Sequence, residues 1–258
     1  MERVTHHGRA TAYRVDGAGE AANVLCVHGS GTDHRVWRGQ RRLADGRAVV
    51  ALDLAGHGDS DDVDAAPGYE CLAAYVDDVV AVAEATDARV LCGHSLGGAV
   101  ALTIAVERDL DLDGLVLTGT GARLAVLDDL LEWLDDDFER ALDFLHRPDR
   151  LFHDVDEGTL ERSREVLRAT GRAVTARDFR TCHTFDIRDR LAAVDVPALA
   201  VVGEHDRLTP PWYHEQLAER LPDCELAVVE GAAHAAMLER PEPFNATVEH
   251  LLDRMERG

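Results

Sequence analysis

The chain of 258 residues sets 49 Asp and Glu against 27 Lys and Arg, a formal charge of −22. That imbalance excludes most nucleic-acid binders, which need clustered cations against phosphate. No run of about eighteen uninterrupted apolar residues exists; the best candidate, Ala73 to Ala85, is broken by Asp77, Asp78 and Glu84, so no membrane partner is expected.

In chain order, the first residues, Met1 to His7, lack the apolar core of a signal peptide, and a cytoplasmic protein is expected. Strand-like runs follow at Thr11 to Val15, Val24 to His28, Ala48 to Asp53, Arg89 to Gly93 and Gly114 to Thr118, then at Ala198 to Gly203 and Glu225 to Glu230. Consecutive apolar positions, as in Val24 to Val27, mark strands buried on both faces. Between them lie helices: Leu72, Val76, Val79 and Ala83 fall on one helical stripe, Thr209-Pro210-Pro211 starts another helix, and Pro241 to Arg257 closes the chain. This alternation predicts an α/β fold, a mostly parallel sheet of about eight strands flanked by helices.

The alternation stops after Thr118 and resumes at Pro197. Residues 120–195 read as helices only, an insertion between core segments 1–119 and 196–258. Loops at the carboxyl ends of parallel strands surround the ligand crevice, which favours a lid over a satellite bundle. Trp133, Phe138, Phe144, Leu145 and Phe152 suggest an apolar pocket wall, although helical spacing more often marks the insertion's own core than a ligand contact.

All 27 cations are Arg, and no Lys occurs. A Lys-free, strongly acidic surface suits a salt-accumulating halophile, where concentrated salt screens self-repulsion. A GC-rich genome also favours Arg codons, but it leaves the acid excess unexplained. Five cysteines, Cys26, Cys71, Cys92, Cys182 and Cys224, lack C-x-x-C spacing and suggest reduced thiols.

The strongest chemical signal is Val90-Leu91-Cys92-Gly93-His94-Ser95-Leu96-Gly97-Gly98-Ala99: a buried strand, then Gly-x-Ser-x-Gly, then a helix of small residues. This is the context of a nucleophile elbow, where Ser95 occupies a strained turn and Gly93 and Gly97 avoid collision with neighbouring backbone. With four serines and 21 glycines in the chain, one serine flanked this way by chance has a probability of about 0.03. A serine needs a base, and the base needs an orienting group. Asp206 lies in the loop after the strand ending at Gly203, and His234 in the loop after the last strand. Glu204, two residues from Asp206, would fit a slightly shifted loop, while His205 adjoins the acid and is a poorer base. The order Ser, Asp, His is expected when all three project from the carboxyl edge of one parallel sheet.

Across nearly its full length the chain resembles the α/β-hydrolase superfamily. Beside the three loops above, Val27-His28-Gly29-Ser30-Gly31 followed by Trp37 resembles the family's oxyanion loop, and Asp53-Leu54-Ala55-Gly56-His57-Gly58-Asp59-Ser60 resembles its turn after the next strand. The resemblance implies Ser95 as nucleophile, His234 as general base and then acid, Asp206 as the orienting carboxylate, and the N–H groups of Leu96 and Ser30 as oxyanion donors. It also implies that the insertion is a cap. His28 and His57 read as structural histidines at loop corners, and His94 as a residue beneath or beside the site.

His146, His153 and His183 lack ligand spacing, so no metal is expected. Gly17-Ala18-Gly19 lacks the third glycine of a dinucleotide fingerprint, so no cofactor is implied. A serine in place of an aspartate argues against epoxide or halide chemistry. The expected activity is carboxylic ester hydrolysis, with a small-molecule substrate as the partner. Enol-lactone hydrolysis, carbon–carbon bond hydrolysis and cofactor-free perhydrolysis would use the same triad, and a non-turnover small-molecule receptor is the alternative of another class. Oligomeric state is not legible. The halophile reading predicts a thermal midpoint that climbs from dilute buffer to multimolar KCl; a midpoint indifferent to salt would overturn it.

Overall fold

The computed structural model describes residues 1–257. Its sheet has eight strands, β1 (Glu2–His6), β2 (Arg9–Gly17), β3 (Asn23–Val27), β4 (Ala48–Leu52), β5 (Ala88–His94), β6 (Gly114–Thr118), β7 (Ala198–Gly203) and β8 (Cys224–Val229). They lie in the order β1-β2-β4-β3-β5-β6-β7-β8. The first two strands run antiparallel to their neighbours, and from β4 to β8 every pairing is parallel. This is the expected α/β hydrolase-type sheet.

Seven of the eight strands coincide with runs predicted from sequence, give or take a residue or two at the ends. The eighth, β1, is a polar edge strand whose hydropathy carries no signal. A two-residue turn makes it: His7 and Gly8 take φ values of 47° and 79°, and His6 pairs with Arg9. Positive φ at both central positions gives the turn a twist that matches paired strands.

The helices are α1 (Tyr69–Thr86), α2 (Leu96–Glu107), α3 (Asp128–Asp136), α4 (Phe138–Leu145), α5 (Glu157–Thr170), α6 (Arg172–Thr184), α7 (Pro211–Arg220), α8 (Ala236–Glu239) and α9 (Pro241–Arg257). Successive strand side chains point to opposite faces, so β3 sends Leu25 and Val27 into the core beneath α1, α2 and α7, and Val24 and Cys26 into the core beneath α8 and α9. The thiols Cys26 and Cys92 are fully buried there as small apolar groups. Helices α3 to α6 all fall between β6 and β7, and Leu130, Leu134, Ala141, Phe144 and Leu145 form a core among them.

After β3 the chain turns outward to β4 and then returns to the other side of β3 as β5. This reversal of strand order opens a crevice at the carboxyl ends of β3 and β5, the place where open α/β sheets bind ligands. Ser30 follows β3 and Ser95 follows β5, one on each side of that crevice. No helix among the described residues is long and apolar enough to cross a membrane.

Candidate active site

Ser95 takes φ 54° and ψ −114°, a conformation that costs a non-glycine residue about 1–3 kcal/mol. Its surroundings over-determine it. The Ser95 N–H donates to Thr118 O at 2.9 Å, and the Ser95 carbonyl accepts from Gly98 N at 2.9 Å, Ala99 N at 3.2 Å and Thr120 Oγ1 at 2.9 Å. The flanking glycines let the backbones approach: a Cβ on Gly93 would stand 2.4 Å from Gly97 O, and one on Gly97 would stand 2.2 Å from Val27 O.

Asp206 and His234 meet from the loops after β7 and β8. His234 Nδ1 lies 2.9 Å from Asp206 Oδ2, with the carboxylate fully buried and the imidazole nearly so. Leu208 N and Thr209 N donate to Asp206 Oδ1 at 2.8 and 2.9 Å, and the Thr209 hydroxyl donates to Oδ2 at 2.8 Å. Burial opposes the charged carboxylate, but His234 and the Thr209 bonds outweigh it and hold Asp206 below the ordinary carboxylate range. Neither the Leu96 nor the Ser30 N–H has an acceptor among the described residues. For Leu96 this follows from its place as the first residue of α2, since the opening N–H groups of a helix have no partner within it.

The loop bearing Ser30 is held from above. Asp178 of α6 is fully buried and its Oδ2 accepts from Gly31 N and from His57 Nε2, each at 2.8 Å. Oδ1 accepts from the Tyr75 hydroxyl. His57 Nδ1 faces the Ala55 carbonyl at 3.1 Å. Both ring nitrogens thus face acceptors, which calls for the imidazolium. Burial pushes His57 down, yet the Asp178 charge and hydrogen bond reverse this and raise its pKa. Asp178 is lowered, with burial overcome chiefly by His57.

Ser30, Ser95 and His234 share the wall of a cavity of about 460 Å³ whose remaining lining is largely apolar, from Leu124, Val126, Leu130, Phe144 and Trp212. The volume suits a small organic ligand. A wider depression of about 620 Å³ opens at the opposite, amino-terminal edge of the strands, beside Arg47, Asp113 and Asp223. It holds none of these groups, and two of its cations are paired, Arg47 with Glu256 and Arg254 with Asp223.

A family model for the alpha/beta hydrolase family matches residues 24–247. The chain belongs to that family. A pimeloyl-[acyl-carrier protein] methyl ester esterase of Neisseria meningitidis is 34% identical over 265 aligned residues, which cover 89% of this chain and 78% of the relative. Among solved structures, a thermophilic esterase is 31% identical with a TM-score of 0.84, covering 98% of this chain and 97% of that one. The enol-lactonase of Burkholderia xenovorans, 23% identical with a TM-score of 0.82 over 98% of this chain and all of that one, shares the fold. The chain is therefore a hydrolase, of the type to which these named esterases belong.

Within the hydrolase, Glu204 accepts from Gly231 N at 3.0 Å, while His234 Nδ1 meets Asp206. His205 stacks on His153 with ring centroids 3.6 Å apart. His28 donates from Nδ1 to Gly29 O at 2.9 Å and accepts from Leu54 N at 3.0 Å through Nε2, a neutral tautomer that matches a pKa lowered to about 4 by burial and by His57. Gly29 has no room for a side chain: a Cβ would stand 2.8 Å from His94 Nδ1 and 3.1 Å from Ser95 Cβ. His94 lines the cavity and bonds His234 O through Nε2 at 3.1 Å. Burial first, and His234 second, drive its pKa well below the ordinary value. Trp37 is buried against Phe244, away from the cavity.

Of the five aromatic or leucine residues suggested as pocket wall, only Phe144 lines this cavity; Trp133, Phe138 and Leu145 pack with it in the core of the helical segment, and Phe152 joins the core under α8 and α9. The three histidines of the insertion do not meet. His146 bonds Leu142 O and Ser163, His183 faces Val126 O, and His153 lies with Asp149 and His205, a cluster that sequence spacing does not reveal. Sequence reasoning also missed Thr209 as a partner of both Asp206 and His234, and Asp178 as the anchor of the Ser30 loop. Thr209 was visible only as a helix start; Asp178 carried no local signal at all.

Two outcomes follow from this geometry. Gly97→Ala is expected to lose about 3 kcal/mol in denaturant unfolding, because the new methyl meets backbone rather than a movable side chain. Asp178→Asn leaves His57 as an uncompensated buried charge and is expected to cost about 3–5 kcal/mol. His57 is raised, so its contribution is complete below its unfolded value of about 6.5 and is lost as pH climbs through the folded one; Asp178 is lowered, so its contribution is complete above about 3.9 and is lost as pH falls through the folded one. The gap between wild type and variant is thus widest between about pH 4 and 6.5, and a gap that widens at alkaline pH would contradict the assignment.

Proposed function

We propose that the hydrolase cleaves a small carboxylic ester through an acyl-enzyme formed on Ser95. His234 accepts the Ser95 hydroxyl proton as Oγ bonds to the carbonyl carbon, and returns it to the departing alcohol. Asp206, with Thr209 beside it, fixes the imidazole with Nδ1–H toward the carboxylate and supports its positive charge. The N–H groups of Leu96 and Ser30 receive the oxyanion. Water, deprotonated by the same histidine, then releases the acid. The observation that carries this reading is the buried 2.9 Å Asp206–His234 pair, whose imidazole shares one cavity wall with a serine held at positive φ.

We also infer that residues 120–195 act as a cap on the core formed by 1–119 and 196–258. In support, the cavity is walled by Leu130 and Phe144 from one and by Ser95 and His234 from the other. His234 N donates to Arg150 O at 3.2 Å, which ties the cap to the base itself. The charge of −22 and the absence of Lys support work in a salt-rich cytoplasm.

The test is hydrolysis of p-nitrophenyl esters of increasing acyl length in multimolar KCl. Ser95→Ala is expected to lower kcat about 10⁴- to 10⁶-fold, and Asp206→Asn about 10⁴-fold by disturbing the histidine tautomer. Undiminished turnover by a folded Ser95→Ala protein would reject the mechanism.

A further inference from the structure

The cavity inverts the charge of the molecule around it. Asp and Glu make up 49 of 258 residues, yet none lines this cavity, while two arginines, Arg150 and Arg207, do. Arg207 is largely exposed and paired with Asp149 at 3.1 Å. Arg150 is different. No carboxylate lies within 4.0 Å of its guanidinium among the described residues, and its Nε is buried without a hydrogen-bond acceptor. Its Cζ stands 5.0 Å from the ring of Phe144, another lining residue.

A buried donor without an acceptor costs about 1–3 kcal/mol, more when charged, and calls for a reason. Arg150 is held where it is by its own backbone, whose carbonyl accepts the His234 N–H at 3.2 Å. The guanidinium therefore extends from a point one hydrogen bond away from the proposed base. Nε is closed to solvent, so the edge that a ligand in the cavity can meet is the pair of Nη groups, a planar fork matched to a carboxylate. With the surface anionic, the surrounding protein offers this fork nothing inside the cavity, and a substrate does.

We propose that Arg150 is a specificity residue that binds a free carboxylate on the substrate, so that the preferred esters are half-esters of short dicarboxylic acids. This rests on the serine-hydrolase reading above and deepens it. The reaction stays balanced as ordinary hydrolysis: the alcohol leaves with the proton carried by His234, water supplies the second oxygen, and the far carboxylate stays ionised on Arg150 throughout.

The experiment compares p-nitrophenyl hydrogen glutarate with p-nitrophenyl pentanoate at one fixed KCl concentration, for wild type, Arg150→Gln and Arg150→Lys. Wild type is expected to favour the glutarate ester in kcat/KM. Arg150→Gln is expected to reduce the ratio of glutarate to pentanoate about ten- to hundredfold, with the loss mainly in KM, and Arg150→Lys to recover part of it. A ratio that stays the same in Arg150→Gln overturns the inference, including the case where both substrates slow equally because the cap has shifted. Calorimetric binding of the 4-nitroanilide of glutaric acid to Ser95→Ala, with and without Arg150→Gln, reads the same subsite without turnover; equal affinities overturn the inference, and an Arg150-dependent loss of about tenfold or more supports it. Failure of the parent reading has a different signature, namely Ser95-independent hydrolysis of both esters.

Discussion

Everything at the carboxyl edge of the sheet depends on how closely the start of α2 approaches the ends of β3 and β5. Gly97 sits where a single methyl would stand 2.2 Å from Val27 O, and Gly93 sits where one would stand 2.4 Å from Gly97 O. With those positions bare, the chain can leave β5, invert at Ser95 and enter α2 within a few residues. The strain at Ser95 is offset by four hydrogen bonds to its own peptide groups. Backbone strain of this kind persists only where packing removes every alternative. Here it sets Ser95 in the cavity wall, and it brings the free N–H of Leu96 to the same edge as that of Ser30.

A second constraint couples the helical segment to that edge. Asp178 is an ionised carboxylate buried far from solvent, and it is tolerable only because an imidazolium, a phenol and a backbone N–H all donate to it. Those donors belong to three stretches of chain, and the shared acceptor on α6 draws the Ser30 loop, the His57 turn and α1 to it. Arg177 adds to this seam by donating to Val63 O at 2.8 Å and to Asp62 at 2.7 Å. The Ser30 loop is thereby positioned from the segment above it as much as from the strand below. On the other side of the cavity, Arg150 O and Leu151 O accept from His234 N and Ala235 N, so the loop after β8 is braced from the same segment.

The electrostatics follow the same division between outside and inside. On the surface, Arg–carboxylate pairs are numerous and individually weak, and salt screens them further. Inside, the buried carboxylates find hydrogen-bond donors within the protein, as Asp206 does in Thr209 and Asp178 does in His57. The Arg150 guanidinium has no carboxylate partner among the described residues, and it lines the cavity that Ser95 also lines.

The α/β alternation, the strand positions and the Gly-x-Ser-x-Gly turn are legible in sequence because each is local: a buried strand is a run of apolar residues, and an elbow needs small residues at fixed offsets. The loops bearing Asp206 and His234 are legible for the same reason, as strand ends in the right order. The edge strand β1 escaped because its residues alternate toward solvent and a His7-Gly8 turn, not hydropathy, forms it. Trp133, Phe138, Leu145 and Phe152 could not be sorted from Phe144 by spacing, since a helix's apolar face looks alike whether it meets a ligand space or another helix. What the sequence by itself determined is the layered fold and which residue types stand at the strand ends. Only the tertiary structure decided that Thr209 joins the Asp206–His234 pair, that Asp178 grips Gly31 across 147 residues of chain, and that Arg150 faces a cavity with no carboxylate to meet it. Those are contacts between distant segments, and their geometry is fixed by packing, which no local pattern encodes.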